Sequence, residues 1–192
     1  MRIKKSDVIQ TAADMADKNG LSNVSLKAVA ESLNIRTPSL YNHIDSLESL
    51  LREIAHNGMK TMNERMMQAA IGKIGDDAIK SVGITYLNYM IEHPGIYETI
   101  QWATWHGTEE TGKIFDNYLS LLKTLALSCN FNPVNIDEIL NLLTGVLHGY
   151  TTLQLRYAFT KPDEVRTALS AALDTVLAGL HQKYDQHEKE HL

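Results

Sequence analysis

Short polar side chains are concentrated at one place in the first quarter of the chain, in the segment TPSLYNHI. Hydrogen-bond donors and acceptors come from Thr37, Ser39, Asn42 and His43. Short polar side chains at the start of a helix are what a protein needs to read base edges in the major groove of DNA. The pattern therefore favours a DNA-reading helix, with a polar, solvated helix as the alternative.

Aromatic residues are concentrated further along, with seven of them between Tyr86 and Tyr118. Bulky rings with polar tips suit a largely apolar ligand pocket that contains a few orienting hydrogen bonds. A packed aromatic core is the alternative, and the histidines among the candidates could line a pocket or be buried in that core. The candidate ligand-binding residues are Tyr86, Tyr89, Met90, Tyr97, Trp102, Trp105, His106, Tyr118 and His148.

Catalysis and metal binding are not predicted. The sequence has no GxSxG nucleophile motif, and its single cysteine, Cys129, lies in an apolar stretch that is typical of a small core residue. One cysteine cannot form an internal disulfide or a cysteine-based zinc finger. We therefore expect neither an enzyme, nor a bound metal, nor any cofactor.

The composition is that of an ordinary globular chain, with 192 residues, 44% of them hydrophobic, and a net charge of −5. Residues 1–60 carry 8 basic and 7 acidic groups, whereas residues 61–192 carry 10 basic and 16 acidic groups. The positive charge that a DNA-binding protein needs would therefore be confined to the N-terminal part of the chain. The sequence contains neither an apolar run that could cross a membrane nor the apolar core of a signal peptide. A cytoplasmic protein without a membrane partner is the expectation.

Apolar residues recur at helical spacing and strand signals are nearly absent, which predicts an all-α fold of about nine helices. Thr37 is the predicted cap of the third helix, and Asp45 with Glu48 predicts a capping box that opens the fourth. An N-terminal helix-turn-helix domain over 1–56 and a C-terminal helical domain over 57–192, joined by the fourth helix, are expected. The predicted helices are about 6–18, 25–33, 37–43, 45–70, 76–92, 96–102, 111–129, 135–159 (or 133–159, with Pro133 as the opening residue) and 162–184.

The eighth predicted helix is apolar around nearly its whole circumference, so it must be buried on two sides. One side can pack on its own core, and Gly145 and Gly149 would let a second helix approach the other. Packing on the ninth helix alone is the alternative, but it leaves part of the eighth exposed. A homodimer through both helices is therefore predicted. The candidate interface residues are Leu142, Gly145, Val146, Gly149, Leu153, Leu169, Leu173, Val176, Leu177 and Leu180.

Residues 6–56 as a whole resemble the N-terminal domain of the TetR (tetracycline-repressor-like) transcriptional regulators. The resemblance lies in the blocks AVAESLNI and TPSLYNHIDSLESLL, of which the second is the more specific. Three positions depart from the usual family pattern. Asn34 stands where the family usually has Gly, Ile44 where it usually has Phe, and Leu47 where a Lys often touches a phosphate.

The second half of the chain resembles one branch of the same family, the regulators with a WHG-type C-terminal domain. The tripeptide Trp105-His106-Gly107 carries this resemblance, and a second short match is the sequence LHG at 147–149. Together the two halves cover nearly the whole chain. The resemblance implies a ligand cavity and a homodimer.

The resemblance also implies contact roles in the helix-turn-helix. The polar residues of the third helix would face bases or nearby phosphates, while Tyr41 and Lys27 would contact the DNA backbone. Arg36, with Arg2, Lys4 and Lys5 at the N-terminus, would add positive charge. The predicted DNA-binding residues are Lys27, Arg36, Thr37, Pro38, Ser39, Tyr41, Asn42 and His43.

The function implied is that of a ligand-responsive transcriptional regulator that binds double-stranded operator DNA as a dimer. A repressor, released from a near-palindromic operator by a small and largely apolar effector, is the preferred form, and an activator remains open. The alternative class is a helical small-molecule-binding or enzymatic protein that does not bind DNA.

Overall fold

The computed structural model describes residues 3–159 and 161–184. Arg2, given a DNA-contact role above, and the charged C-terminal sequence DQHEKEHL lie outside these residues. Within them the chain forms nine α-helices and no strand, so the all-α prediction is confirmed. The helices are α1 Lys5–Asn19, α2 Leu26–Ser32, α3 Thr37–Leu40, α4 Leu47–Ala70, α5 Gly75–Glu92, α6 Pro94–His106, α7 Glu109–Leu127, α8 Ile136–Leu155 and α9 Val165–Tyr184.

Two predicted helix caps are wrong by one residue. Arg36, not Thr37, is the N-cap of α3, and Thr37 is its first helical residue. The box before α4 is made by Ser46 and Ser49, because the Ser49 hydroxyl accepts from Ser46 N at 3.0 Å and the Ser46 hydroxyl accepts from Ser49 N at 3.1 Å. A serine at the third helical position thus takes the part expected of an acidic residue.

Three predicted helix lengths differ clearly from the observed ones. The third helix ends at Leu40 instead of His43, since residues 41–43 form a turn. The predicted 96–102 helix extends over Pro94–His106, since no residue that breaks a helix stands before Gly107. The eighth helix ends at Leu155 instead of 159, because Tyr157 adopts a left-handed conformation with φ 54°. The Ala158 N–H then donates to the Leu153 carbonyl at 2.9 Å, which closes the helix in a Schellman motif.

The described residues form two compact units. The first contains the described part of Met1–Thr61 together with Glu92–Phe115, so α6 and the start of α7 belong with the helix-turn-helix. Its apolar core includes Val8, Ala12, Val29, Leu40 and Leu50, each fully buried. The expected domain boundary between residues 56 and 57 stays a prediction.

The second unit contains Met62–Ile91 together with the described part of Asp116–Leu192. A Cβ on Gly83 of α5 would lie 3.0 Å from side-chain atoms of both Leu147 and Leu173, so α5 packs closely against α8 and α9. Glycine at this position allows the three helices to share one core. None of the described helices is long and apolar enough to cross a membrane.

Candidate DNA-binding and effector sites

The turn between α2 and α3 is built from short local hydrogen bonds. Ser25 caps α2 by accepting from the Ala28 N–H at 3.2 Å. Asn34 then adopts a left-handed conformation with φ 55°, and the Ile35 N–H donates to the Ala30 carbonyl at 3.0 Å. Asparagine tolerates this backbone conformation better than most residues, so it can stand where the family usually has glycine.

α3 is anchored by its apolar side and presents its polar side to solvent. Leu40 is fully buried and Ile44, just after the helix, is buried with it. The opposite side carries the predicted DNA-binding residues, and Tyr41 is 56% exposed. Arg36, Pro38, Tyr41 and Asn42 are exposed, whereas Thr37, Ser39 and His43 are half-buried. The arrangement leaves the polar atoms of the segment accessible to a groove of DNA.

Lys27 lies on α2 with its ammonium group available to a phosphate. Its contact with Glu31 is an exposed pair at 3.9 Å, one helical turn away. Exposed pairs of this kind contribute little to stability, so a phosphate can compete for the lysine.

The predicted ligand-binding residues divide between the two units. Tyr86, Tyr89, Met90, Tyr118 and His148 lie in the second unit, and Tyr97, Trp102, Trp105 and His106 lie in the first.

In the second unit, Tyr86 lies between Tyr118 and His148. The ring centroids of Tyr86 and Tyr118 are 6.2 Å apart, and the His148 ring meets Tyr86 edge-on at 5.7 Å. The Tyr86 hydroxyl lies 3.3 Å from His148 Nδ1. Burial lowers the pKa of His148, so its ring is neutral and can donate at one nitrogen and accept at the other.

Buried polar groups continue along the same side of α8. Burial raises the pKa of the Tyr118 hydroxyl to about 12. The Thr144 hydroxyl lies close to it and opposes this increase in pKa, although the two hydroxyls do not reach ordinary hydrogen-bond geometry. Thr144, His148 and Thr151 are spaced at i, i+4 and i+7, which places them on one face. Among the described residues, the Thr151 hydroxyl and the Gln154 carbonyl oxygen are buried without a hydrogen-bond partner. Buried polar atoms of this kind are uncommon and mark a place where a polar ligand group could bind.

Two further candidates in the second unit are buried. Tyr89 is 3% exposed and the guanidinium of Arg65 lies 4.9 Å above its ring centroid, which is a cation–π contact. Met90 is 1% exposed. Both residues lie on α5, on the helix that carries Tyr86.

In the first unit, the predicted ligand-binding residues lie along α6: Tyr97 near its start, and Trp102, Trp105 and His106 near its C-terminal end. The His106 ring stacks on Trp102 at 4.7 Å, and its Nδ1–H donates to the Trp102 carbonyl at 2.9 Å. Trp102 packs against the core of the helix-turn-helix, Tyr97 is buried, and Trp105 is 86% exposed. A groove of about 310 Å³ lies beside Trp105, between the end of α6 and the start of α7.

His56 of α4 is a site residue that the sequence analysis missed. It is buried, and its Nε2 lies 2.8 Å from the hydroxyl of Thr111, a residue that lines the groove. Burial lowers the pKa of His56, and the nearby Glu110 carboxylate works against that change. A lone histidine in an amphipathic helix gives no sequence signal that it reaches another helix.

The sequence HEKEH at 187–191 has the HExxH spacing of a zinc-binding motif, and the expectation that no metal is bound did not take it into account. It lies outside the described residues.

The predicted dimer face is open on α8 and mostly closed on α9. Leu142 and Leu153 are 45% and 44% exposed, and a Cβ on Gly145 or Gly149 would meet nothing within 4 Å. Val146 and Val176 are half-buried. The four leucines proposed on α9 are instead buried in the unit's own core: Leu169, Leu173, Leu177 and Leu180.

A groove of about 540 Å³ lies between α8 and α9 on this face. Leu142 and Val176 line it, with Gly179 and Leu180. The Lys183–Glu138 ion pair, at 3.2 Å, joins the two helices beside it. The predicted interface residues of α8 are thus accessible to a partner, and the groove lies next to them.

A helix-turn-helix in the first unit and an all-α second unit are the architecture of a class of DNA-binding regulators. Comparison with known proteins gives the family. Residues 79–176 match the family model described as "Tetracyclin repressor-like, C-terminal domain". The chain is 30% identical over 174 residues to YobS of Bacillus subtilis (strain 168), an uncharacterized HTH-type transcriptional regulator, and the match covers 90% of each chain. This chain belongs to the TetR family of transcriptional regulators.

Solved structures share the fold at lower sequence identity. A protein of unknown function from Rhodococcus sp. RHA1 superposes with a TM-score of 0.82 at 15% identity, covering 94% of this chain and 96% of that one. A TetR variant from Acinetobacter baumannii AYE, solved in complex with minocycline, gives a TM-score of 0.71 at 18% identity, covering 94% and 98%.

Acidification should weaken the fold through two histidines. His56 and His148 both have pKa values lowered by burial, so below pH about 6.5 the unfolded chain takes up protons that the folded chain refuses. The free energy of unfolding should fall as pH drops from 7.5 to 5.5, by at most about 1.4 kcal/mol per pH unit for each ring. Urea unfolding at both pH values measures this.

His148→Gln and His56→Gln should each reduce the pH dependence of the unfolding free energy. Equal pH dependence in the wild type and both variants would contradict the assignment of the two buried rings.

Proposed function

We propose that this regulator is a homodimeric repressor that binds a near-palindromic operator through α3 and is released by a small, largely apolar effector. The observation that carries the proposal is the construction of α3, with Leu40 buried and Asn42 exposed on a segment of short polar residues. A helix held by its apolar side and open on its polar side fits the major groove.

The DNA contacts follow from exposure and chemistry. Asn42 offers an amide that can pair with both edge atoms of an adenine, and Thr37 and Ser39 can bond to a base or a phosphate. Lys27 and Arg36 would neutralise phosphates, which orients α3 without reading sequence. Tyr41 adds a phenol for a phosphate oxygen.

The dimer is supported by the open face of α8. Gly145 and Gly149 lie one turn apart with free space above them, and Leu142 and Leu153 expose apolar surface beside them. Exposed apolar surface on a helix with small residues at its centre favours the approach of a second helix. A second copy would meet α8 and the adjoining groove, with Val146 and Val176 at its edge.

The effector would bind in the second unit, at the Tyr86–Tyr118–His148 cluster. The rings supply apolar surface, and the neutral His148 and the unpartnered Thr151 hydroxyl supply hydrogen bonds. Ionised groups are absent from this described cluster, which suits an uncharged ligand. The effector releases DNA only by binding the DNA-free conformation more tightly, with coupling of about 1–3 kcal/mol.

The test combines DNA and effector on one protein. Purified protein should shift a duplex taken from upstream of its own gene, with an affinity that falls as salt rises. Aromatic compounds that change the protein's fluorescence should then release that duplex, and the duplex should weaken the compounds' binding by the same factor. A protein that binds such compounds but shifts no duplex at low salt would instead be a small-molecule-binding protein.

A further inference from the structure

The N-terminus of α6 is capped by a side chain from α1. Asp17 Oδ1 accepts from the Gly95 N–H at 2.8 Å and from the Ile96 N–H at 3.0 Å, and its Oδ2 lies 2.8 Å from His93 Nδ1. The first N–H groups of a helix have no partner within the helix and are usually capped by a neighbouring residue. Here the cap comes from a helix that ends more than 70 residues earlier in the chain.

The same two helices touch through their backbones. A Cβ on Gly95 would overlap the carbonyl carbon of Ala16 and the nitrogen of Asp17, so only glycine permits this contact. The Leu21 N–H, just after α1, donates to the Glu98 carboxylate at 3.0 Å. These contacts, with the Asp17 cap, hold α6 in a single register against α1.

The other end of α6 is equally constrained. Arg52 of α4 donates to the His106 carbonyl at 3.3 Å. A Cβ on Gly107 would lie 2.6 Å from the Ala103 carbonyl oxygen and 2.9 Å from the Thr111 side chain. The turn between α6 and α7, beside the 310 Å³ groove, is therefore closely packed. A change of shape there must be taken up by α6 or by α7.

We propose that Asp17 is a positioning residue that couples the α6–α7 turn to the DNA-binding helices. α6 is about 20 Å long and forms a single stiff element between the turn and α1. A displacement at Gly107 would reach α1 through the Asp17 cap and change the placement of α2, which packs on α1, and of α3, which packs on α2. This inference rests on the proposed DNA-binding function.

The coupling can be measured without knowing the effector. Gly107→Ala is compatible with the backbone, because φ at Gly107 is −76°, yet its methyl group must push aside Ala103 or Thr111. It therefore imitates a disturbance of the turn. Gly107→Ala should weaken operator binding in the wild-type background and should have a smaller effect in the Asp17→Ala background, where only the Gly95 contact and the Leu21–Glu98 bond still join α6 to α1. The double-mutant cycle should show a coupling of about 2- to 100-fold in DNA affinity.

Asp14→Ala is the matched control. Asp14 lies on α1, carries the same charge, and only accepts an exposed hydrogen bond from Gln10 at 2.7 Å. Its effect on DNA affinity should add to that of Gly107→Ala. Asp17→Asn keeps an oxygen that can accept from both N–H groups, so it should retain most of the coupling. Should Asp17→Ala unfold, Asp17→Leu, which has a similar shape but no hydrogen-bond acceptor, takes its place in the cycle.

Hydrogen exchange gives a second readout that does not require DNA. In the free protein, Gly107→Ala should speed amide exchange in α1, and Asp17→Ala should reduce that response. If the wild type binds no duplex, the proposed function fails, and the exchange data alone decide whether the coupling exists. An additive cycle, or α1 exchange that Gly107→Ala leaves unchanged while its own turn responds, would overturn the inference.

Discussion

The Gly145→Leu variant is expected to be a folded monomer that binds operator DNA about 10²- to 10⁴-fold more weakly than the wild type. A Cβ at position 145 meets nothing within 4 Å in the single chain, so leucine fits without disturbing the unit. Replacing glycine within α8 should even add about 0.5–1 kcal/mol to the helix. The same side chain would block a second α8 from approaching.

Light scattering at micromolar concentration gives the oligomeric state, and urea unfolding gives the stability. Gly112→Leu is the control, because Gly112 is also a helical glycine with open space around it but lies on α7. It should remain a dimer. A Gly145→Leu protein that stays dimeric would show that α8 is not the dimer face.

The second large effect is expected on sequence preference. Asn42→Ala should weaken operator binding by about 1–3 kcal/mol, or 5- to 150-fold, and leave binding to random duplex nearly unchanged. Lys27→Ala should weaken both kinds of DNA and lower the salt slope by about one. Fluorescence anisotropy with labelled duplexes over a range of salt concentrations separates the two patterns.

Asn57→Ala is the matched control for Asn42→Ala, because Asn57 is an exposed asparagine on α4 of the same unit. It should change neither affinity. If Asn42→Ala and Lys27→Ala have the same profile on operator and random duplex, then the division into base and backbone contacts is wrong.

The helix-turn-helix could be predicted because its signals are local. Ser25 caps α2, Asn34 takes the left-handed turn, and Leu40 anchors α3, and each of these features depends on residues a few positions away. The missed caps were also local, and they differ from the prediction by one residue. Ser46 and Ser49 have the same three-residue spacing as Asp45 and Glu48, so the sequence alone does not choose between the two registers.

The features that could not be predicted depend on residues far apart in the chain. The contact of Asp17 with Gly95 joins positions 78 apart, and no periodicity marks an aspartate as the cap of another helix. The same holds for His56, whose partner Thr111 lies on α7. The inclusion of α6 in the DNA-binding unit follows from such contacts.

The two-sided apolarity of α8 predicts two packing partners, but that pattern does not say which side of α9 faces inward. Leu173 and Leu177 satisfy the unit's own core, whereas Leu142 and Leu153 stay exposed on α8. A stripe of leucines in α9 has the same spacing whichever helix it meets. The direction that the leucine stripe of α9 faces is set by α5, because Gly83 leaves room for the side chains of Leu147 and Leu173 to pack against it.

A footprint of the wild-type protein on its upstream DNA tests the central claim most directly. A dimer with two copies of α3 should protect two symmetric half-sites one helical turn apart, about 34–36 Å or 10–10.5 base pairs, or a multiple of that spacing. The protected sequences should be near-palindromic, and protection should fade as salt rises. Uniform protection along the duplex, or a single unpaired half-site at saturation, would contradict the account of a dimeric regulator that reads DNA through α3.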